Sequence, residues 1–169
     1  TRSLRDWSSD VCSSDLRTPT LGPIGLVTKH RILFMQELLN NRHLDVDRVD
    51  GLFPIVKAYA GMTGELFDAL ADSLIDGLVI EALGAGNLPP QTIEPLKKLI
   101  ARNIPVVLVS RCFNGVAEPV YDYLGGGIEL QALGVIFCNS INSQKARIKL
   151  LIAKNRGLTM DELPDFMEN

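Results

Sequence analysis

The sequence has few of the features that point to particular classes of protein. No apolar run approaches the roughly 20 residues of a membrane-spanning helix, so we expect no contact with a membrane. The 17 basic and 20 acidic side chains give a formal net charge of −3, which offers no electrostatic footprint for nucleic acid. The two histidines, His30 and His43, lack the spacing of a metal site or a catalytic base, and we expect both to be exposed.

Cysteine is also scarce, with three residues in the chain. Cys12 lies in a segment that is set aside below. Cys112 and Cys138 follow apolar runs and do not have metal-ligand spacing, so we predict two buried free thiols and no metal site. Free thiols favour a reducing compartment, and we expect a cytoplasmic protein.

One segment does not resemble natural protein sequence. From Asp6 to Leu16 the chain reads DWSSDVCSSDL, which is the translation of a common sequencing-library adapter. We therefore interpret residues 1–16 as a disordered artefact and exclude them from the fold. Because the chain begins at Thr1 and not at Met, we expect it to be the C-terminal part of a longer protein.

Four β-prone segments follow, at residues 54–60, 76–82, 104–110 and 134–137. The second and third are continuously apolar, which is typical of strands covered on both faces. Apolar stripes at helical spacing lie between them, at Leu66, Phe67, Leu70 and Leu74, and at Ile93, Leu96, Leu99 and Ile100. This order predicts an α/β fold, with a small doubly wound parallel sheet of about four strands flanked by helices.

Capping signals mark the last helices. We predict a long helix that starts with Ser143 as its N-cap and stops at Gly157. Thr159 and Glu162 have the spacing of a capping box, which predicts a short helix after them.

The chain before residue 52 has a different pattern. Residues 21–36 predict two short strands joined near Lys29 and His30, and residues 40–51 are polar and rich in turn formers. We assign residues 17–51 to the end of an N-terminal domain and an interdomain linker, and residues 52–169 to a C-terminal α/β domain.

Loops at the carboxyl ends of the strands are the candidate binding sites, because open α/β sheets bind ligands there. In the loop LGAGNL, two glycines permit a sharp turn and Asn87 can both donate and accept hydrogen bonds. This loop is either a phosphate-binding loop or a plain turn with Asn87 in a left-handed conformation. Arg111, at the end of the third strand, either clamps a carboxylate or caps a carbonyl. Residues 118–127 form a third loop.

Three elements together carry a family resemblance: GAGN at residues 84–87, the strand at 104–111 that ends in Ser-Arg, and NSQKAR at 142–147. In order and spacing they resemble the C-terminal domain of bacterial-type L-asparaginases, over roughly residues 52–155. The Ser-Arg-Cys and Gly-Gly-Gly features are similar to those of the cytoplasmic (type I) members.

The resemblance implies an enzyme that hydrolyses L-asparagine to L-aspartate and ammonia with a threonine nucleophile and with no metal or organic cofactor. The family's Thr-Gly-Gly-Thr and Thr-Asp-Thr motifs belong to a larger N-terminal domain, and neither motif occurs in this sequence. We therefore expect no catalytic residue within this chain and no activity of the chain alone.

The resemblance also implies a role for this domain in a homodimer or tetramer, where it completes the substrate pocket of a neighbouring subunit. Asn87, with Gly86 beside it, matches the family asparagine that holds the amino-acid end of the substrate across the interface. Gln91 lies near a further family contact. Glu118 and Asp122 are candidates for the acidic residue that supports the tyrosine partner of the nucleophile.

Two other functions remain open from the sequence. One is the asparaginase-like subunit of a glutamyl-tRNA(Gln) amidotransferase, which shares the domain and also generates ammonia. The other is a module that binds a small amino acid at the GAGN loop without chemistry.

Overall fold

The computed structural model describes residues 22–36, 43–139 and 141–168. The adapter-like residues 1–16 and part of the predicted linker lie outside the described residues. By its internal contacts the chain divides into two compact units, Thr1–Asn41 and Arg42–Asn169. Among the described residues, none of the helices has the length and apolar character that crossing a bilayer demands.

The described part of the first unit is a small hairpin. Strand β1 (Gly25–Val27) pairs antiparallel with β2 (Ile32–Phe34), which confirms the two predicted short strands. The turn between them is closed by Thr28, whose Oγ1 donates to the Arg31 carbonyl at 2.8 Å and accepts from the Arg31 N–H at 3.1 Å. A threonine hydroxyl thus takes the role of a backbone group in the turn.

A parallel sheet forms the centre of the second unit. Its strands β3 (Ile55–Lys57), β4 (Leu78–Ala82), β5 (Val106–Ser110) and β6 (Ile136–Phe137) lie side by side in chain order. All three neighbouring pairs are parallel. Together with its flanking helices the sheet confirms the predicted α/β fold.

Five α-helices accompany this sheet in the described residues: α1 (Glu65–Ala71), α2 (Ile93–Ala101), α3 (Gly127–Ala132), α4 (Ser143–Arg156) and α5 (Leu163–Glu168). A 3₁₀ turn at Pro90–Thr92 leads into α2, where a missing proline N–H carries no penalty. Helix α2 ends at Ala101, and Asn103, two residues further on, adopts a left-handed φ of 57°, a conformation that glycine adopts more often than other residues.

Two apolar layers cover the two faces of the sheet. On one face Leu78, Ile80 and Leu108 contact buried side chains of α1, α2 and α3, such as Phe67 and Leu96. On the other face Val79 and Val107 contact side chains of α4 and α5. The alternation along β4 and β5 sends successive side chains into opposite layers, which explains why both strands are apolar throughout.

The structure corrects the predicted stripe of the first helix. Phe67 is fully buried, but Leu66 is 47% exposed and Leu74 is 87% exposed. Helix α1 ends at Ala71, so Leu74 lies beyond it. The Ser73 hydroxyl donates to the Ala69 carbonyl at 2.8 Å, and this bond helps to terminate the helix before the last apolar position.

The caps of the last two helices differ in detail from the prediction. The N-cap of α4 is Asn142, whose side chain accepts the Lys145 N–H at 3.0 Å, and Ser143 is the first helical residue. Gly157 ends the helix with a φ of 88°, as predicted. Before α5, the Glu162 carboxylate accepts the Thr159 N–H at 2.8 Å, which is one half of the predicted capping box.

The cysteine prediction is half right. Cys138 is buried, whereas Cys112 is exposed. Burial raises the pKa of the Cys138 thiol to about 11, and the thiol donates to the Met167 carbonyl at 3.1 Å. His30 and His43 are exposed, as predicted.

Candidate functional site at the carboxyl ends of the strands

The carboxyl ends of all four strands of the sheet lie at one edge, because the strands are parallel. The loops that follow β4, β5 and β6 meet there with the residues after β3. Between β4 and β5 lies the loop with GAGN, and between β5 and α3 lies the long segment 111–126. This edge therefore collects the loops that the sequence singles out.

Residues Leu83 to Asn87 form a closed turn. The Leu83 N–H donates to the Asn87 carbonyl and the Asn87 N–H donates to the Leu83 carbonyl, both at 2.9 Å. Gly84 and Gly86 take positive φ values of 52° and 109°. The prediction of a left-handed Asn87 is wrong, since among the described residues Asn103 alone of the non-glycines has a positive φ.

Gly86 is required here for space as well as for conformation. A Cβ atom on it would lie 2.9 Å from the Phe137 ring and 3.2 Å from Leu108. The turn therefore sits directly on the apolar layer at the ends of β5 and β6, and Gly86 itself is buried beneath it.

The Asn87 side chain is held at one of its two polar atoms. Its Oδ1 accepts the Gly127 N–H, the first residue of α3, at 3.3 Å. In the described part of the chain, this is the hydrogen bond that the Asn87 side chain forms, and the residue is half-buried, so Nδ2 is left to face solvent. This geometry leaves an oriented amide donor available to a ligand.

The amide borders an open cleft of about 520 Å³. Asn87 and Gln91 are among its lining residues. Tyr123, which lies in the loop at residues 118–127 and was not predicted as a site residue, lines it as well. Its remaining lining residues are Ala60, Gly61, Leu83, Gly84, Leu88, Pro89 and Pro90. Gly86 lies under the turn, and the exposed side chains of Glu118 and Asp122 do not line this cleft.

Among the described residues, the lining of the cleft includes no histidine, cysteine, serine, threonine, lysine, arginine or carboxylate side chain. Asn87, Gln91 and Tyr123 are the lining residues with polar side chains. In the described parts of the chain, no three His, Cys, Asp or Glu side chains converge as metal ligands would. The arrangement is suited to recognition through amide and hydroxyl hydrogen bonds.

Arg111 has a structural role in this conformation. Its Nη1 donates to the Ala58 carbonyl at 3.0 Å, which links the end of β5 to the residues after β3. Of the two predicted alternatives, capping a carbonyl is the one observed. Nearby, the Ser110 hydroxyl donates to the Gly84 carbonyl at 2.6 Å and so ties β5 to the GAGN turn.

A charged residue within β4 supports the same edge from the other face. Glu81 accepts the Ser143 hydroxyl at 2.5 Å through one oxygen and lies 3.3 Å from the Lys57 ammonium through the other. The Glu81 side chain is 18% exposed. These contacts join β3, β4 and the start of α4. The apolar pattern of β4 does not predict them.

Asn139, directly after β6, was also missed. Its amide forms two hydrogen bonds with the backbone of Ala117, accepting the N–H at 2.7 Å and donating to the carbonyl at 2.9 Å. A polar residue just past a strand at the binding edge of the sheet is the signal that could have drawn attention to it.

Residues 54–167 match the model of the glutaminase/asparaginase C-terminal domain family. The match covers more than half of the chain, and the chain therefore belongs to this family.

Particular relatives refine this placement. The chain is 45% identical over 109 residues to a probable L-asparaginase of Deinococcus radiodurans, covering 64% of this chain and 33% of that protein. It is 34% identical over 106 residues to a subunit of the glutamyl-tRNA(Gln) amidotransferase of Pyrococcus furiosus, covering 62% of this chain and 24% of that protein. The chain thus spans a third or less of the length of these two relatives.

A solved structure shows the same fold. The probable cytoplasmic L-asparaginase of Campylobacter jejuni is similar with a TM-score of 0.75 and 23% identity, covering 89% of this chain and 48% of that chain.

Proposed function

We propose that this chain is the C-terminal part of a cytoplasmic L-asparaginase, which hydrolyses L-asparagine to L-aspartate and ammonia. The family match and the 45% identity to a probable L-asparaginase support the activity. The structural neighbour named as cytoplasmic agrees with the proposed location. The observation that carries the proposal is the oriented Asn87 amide at the edge of an open cleft.

In this proposal the domain binds and orients the substrate, while the threonine nucleophile belongs to a region that this sequence does not contain. Asn87 would direct its Nδ2–H at the substrate's amino-acid end in the pocket of a neighbouring subunit, within a homodimer or tetramer. Its Oδ1 is already engaged by Gly127, so the amide cannot flip without losing that bond. Gly86 permits the turn that presents Asn87, and Gln91 lines the same cleft.

Glu118 and Asp122 are proposed in a supporting role. Both side chains are exposed and lie outside the lining of the cleft. An exposed carboxylate on this segment can contact a neighbouring subunit, where it would support the tyrosine partner of the nucleophile. The proposed reaction requires no metal ion and no organic cofactor.

The first test compares the chain alone with a hybrid enzyme. In the hybrid, residues 54–167 replace the corresponding domain of the Deinococcus radiodurans relative, and ammonia release from L-asparagine is followed in a coupled assay. We expect no activity of the chain alone and clear activity of the hybrid. Ammonia release by the purified chain would contradict the assignment of the nucleophile to another region.

The hybrid also tests Asn87. The Asn87→Asp variant keeps an oxygen for the Gly127 N–H, removes the Nδ2 donor and adds a negative charge, and we expect it to retain the fold. Losing a hydrogen bond to a charged substrate group costs about 1.5–3 kcal/mol, which corresponds to about a 10- to 160-fold lower kcat/KM. Gln131→Ala is the matched control, because it removes an exposed amide on α3 away from the cleft. Equal kcat/KM values for both variants would remove Asn87 from the site.

A second candidate function is the asparaginase-like subunit of a glutamyl-tRNA(Gln) amidotransferase. The 34% identity to the Pyrococcus furiosus amidotransferase subunit favours it. Such a protein would release ammonia for use by a partner subunit of the amidotransferase. Copurification of a partner subunit and of tRNA with the complete gene product would support this alternative over a self-contained asparaginase.

A further inference from the structure

The segment between β5 and α3 is held in place with very little apolar burial. From Arg111 to Leu124, a fully described stretch, Ala117 is the one residue that is buried. The apolar side chains of Phe113 and Val116 are 78% and 53% exposed. The hydrophobic effect therefore contributes little to the position of this segment, and its hydrogen bonds must determine it.

One of these attachments is the pair of hydrogen bonds between Asn139 and Ala117. A carboxamide has the same donor and acceptor as a peptide group, so Asn139 pairs with Ala117 much as a neighbouring strand would. Both distances, 2.7 Å and 2.9 Å, are those of good hydrogen bonds. Since Ala117 is fully buried, its N–H and carbonyl would be left without partners if the amide were removed.

Glu118, the residue after Ala117, connects the Asn139–Ala117 pair to the candidate site. The Glu118 N–H donates to the carbonyl of Ala85, within the GAGN turn, at 2.9 Å. Further along the segment, the Gly125 carbonyl accepts the Leu88 N–H at 2.8 Å. The turn that presents Asn87 is therefore bordered on both sides by a segment that Asn139 holds down.

Local hydrogen bonds brace the segment between Ala117 and Gly127. The Val120 N–H donates to the Glu118 carbonyl at 2.8 Å, and the Gly126 N–H donates to the Tyr123 carbonyl at 2.7 Å. This braced stretch leads to Gly127, the residue that donates to Asn87 Oδ1.

We infer that Asn139 is a positioning residue for Asn87. By pairing with Ala117, it keeps the segment 117–127 against the Leu83–Asn87 turn and so fixes the direction of the Asn87 amide. That this direction serves a substrate rests on the proposed function, whereas the coupling between the two asparagines does not depend on it.

The test uses the full chain and needs no enzymatic activity. Amide hydrogen exchange and the side-chain NH₂ resonances of Asn87 are measured by NMR in the parent chain, in Asn139→Ala and in Asn155→Ala. Asn155 is the matched control, because its amide forms the same kind of pair with the backbone of Asp50, at 3.2 Å and 2.9 Å, at another place in the domain.

In Asn139→Ala we expect about tenfold faster exchange at Ala117 and Glu118 and about threefold faster exchange at Leu88, because local opening becomes easier. The Asn87 NH₂ resonances should shift or broaden. Asn139→Asp keeps the acceptor for the Ala117 N–H and loses the donor, so its values should lie between those of the parent and Asn139→Ala. In Asn155→Ala all of these signals should match the parent, and core amides of β4 and β5 should stay protected in every variant.

Two results would overturn the inference. One is unchanged exchange at Glu118 in both Asn139 variants. The other is faster exchange at Ala117 and Glu118 while Leu88 and the Asn87 resonances stay as in the parent, since Asn139 would then hold only its own segment. An inactive hybrid enzyme together with the expected exchange pattern would instead contradict the proposed function alone.

Discussion

Replacing Gly125 by alanine should separate the GAGN turn from the segment that borders it. Gly125 has a φ of +87°, and a Cβ atom on it would lie 2.2 Å from the Leu88 carbonyl oxygen. Its own carbonyl accepts the Leu88 N–H at 2.8 Å. The added methyl group therefore pushes apart two stretches of backbone that the hydrogen bond holds together.

The expected cost has two parts. Holding alanine at a positive φ costs about 1 kcal/mol. Leu88 is only 2% exposed, so loss of the acceptor for its N–H adds about 1–3 kcal/mol. Gly134→Ala is the control for the first part alone, since Gly134 has a φ of +93° and a Cβ atom on it would meet no other atom within 4 Å.

Urea unfolding of both variants, followed by far-UV circular dichroism, measures the difference. We expect Gly125→Ala to lower the free energy of unfolding by about 2–4 kcal/mol and Gly134→Ala by about 1 kcal/mol. Losses that agree within about 0.5 kcal/mol, with equal m-values, would refute the idea that the Leu88–Gly125 contact stabilises this edge.

Three further outcomes can be checked on the same chain. Leu108→Ala removes a fully buried side chain of β5 and should cost about 2–5 kcal/mol in urea unfolding; a loss below about 1 kcal/mol would argue against this core. Ser143→Ala removes the hydroxyl donor to Glu81 and should lower the free energy of unfolding by about 1–2 kcal/mol. Lys57→Ala should lower it by less than about 1 kcal/mol, because the Lys57 side chain is 68% exposed. Because burial raises the pKa of Cys138 from 9.0 to about 11, the unfolded chain loses this proton first, and stability should fall between these two pH values by about 2–3 kcal/mol. The free energy of unfolding, measured at about pH 8 and about pH 10.5, should fall less between these pH values in Cys138→Ala than in the parent chain. Equal falls in the two proteins would contradict the assignment of the raised pKa to Cys138.

The parts of the fold that could be predicted from the sequence are those fixed by local pattern. The runs at 76–82 and 104–110 are apolar throughout because they become β4 and β5, covered on both faces. The end of α4 at Gly157 follows from a residue that readily adopts a positive φ.

The remainder depends on contacts between distant residues. Helix α3 could not be predicted, because the run Gly125–Gly127 reads as a turn, while burial of Leu130 in the core favours the helix. The roles of Glu81 and Asn139 rest on partners 62 and 22 residues away. No local pattern contains that information.

Of the candidate site, the glycines and the asparagine of the GAGN turn could be identified from local pattern, and the family resemblance supplied the significance of Asn87. The hydrogen bond that holds Oδ1 of the Asn87 amide could not be predicted, because its donor, Gly127, lies 40 residues further along the chain. Tyr123 reaches the cleft for the same reason, through the path of the segment 111–126.

The order of the strands has a consequence for synthesis on the ribosome. Since β3, β4, β5 and β6 are neighbours in chain order, each strand that emerges can add to the free edge of those already made. The layer built with α1, α2 and α3 can therefore close while the nascent chain is still growing. The opposite layer, including Val79 and Val107, waits for α4 and α5. During that interval the apolar side chains on this face of the sheet stay exposed to water. Chaperone binding or premature association would take place at this face.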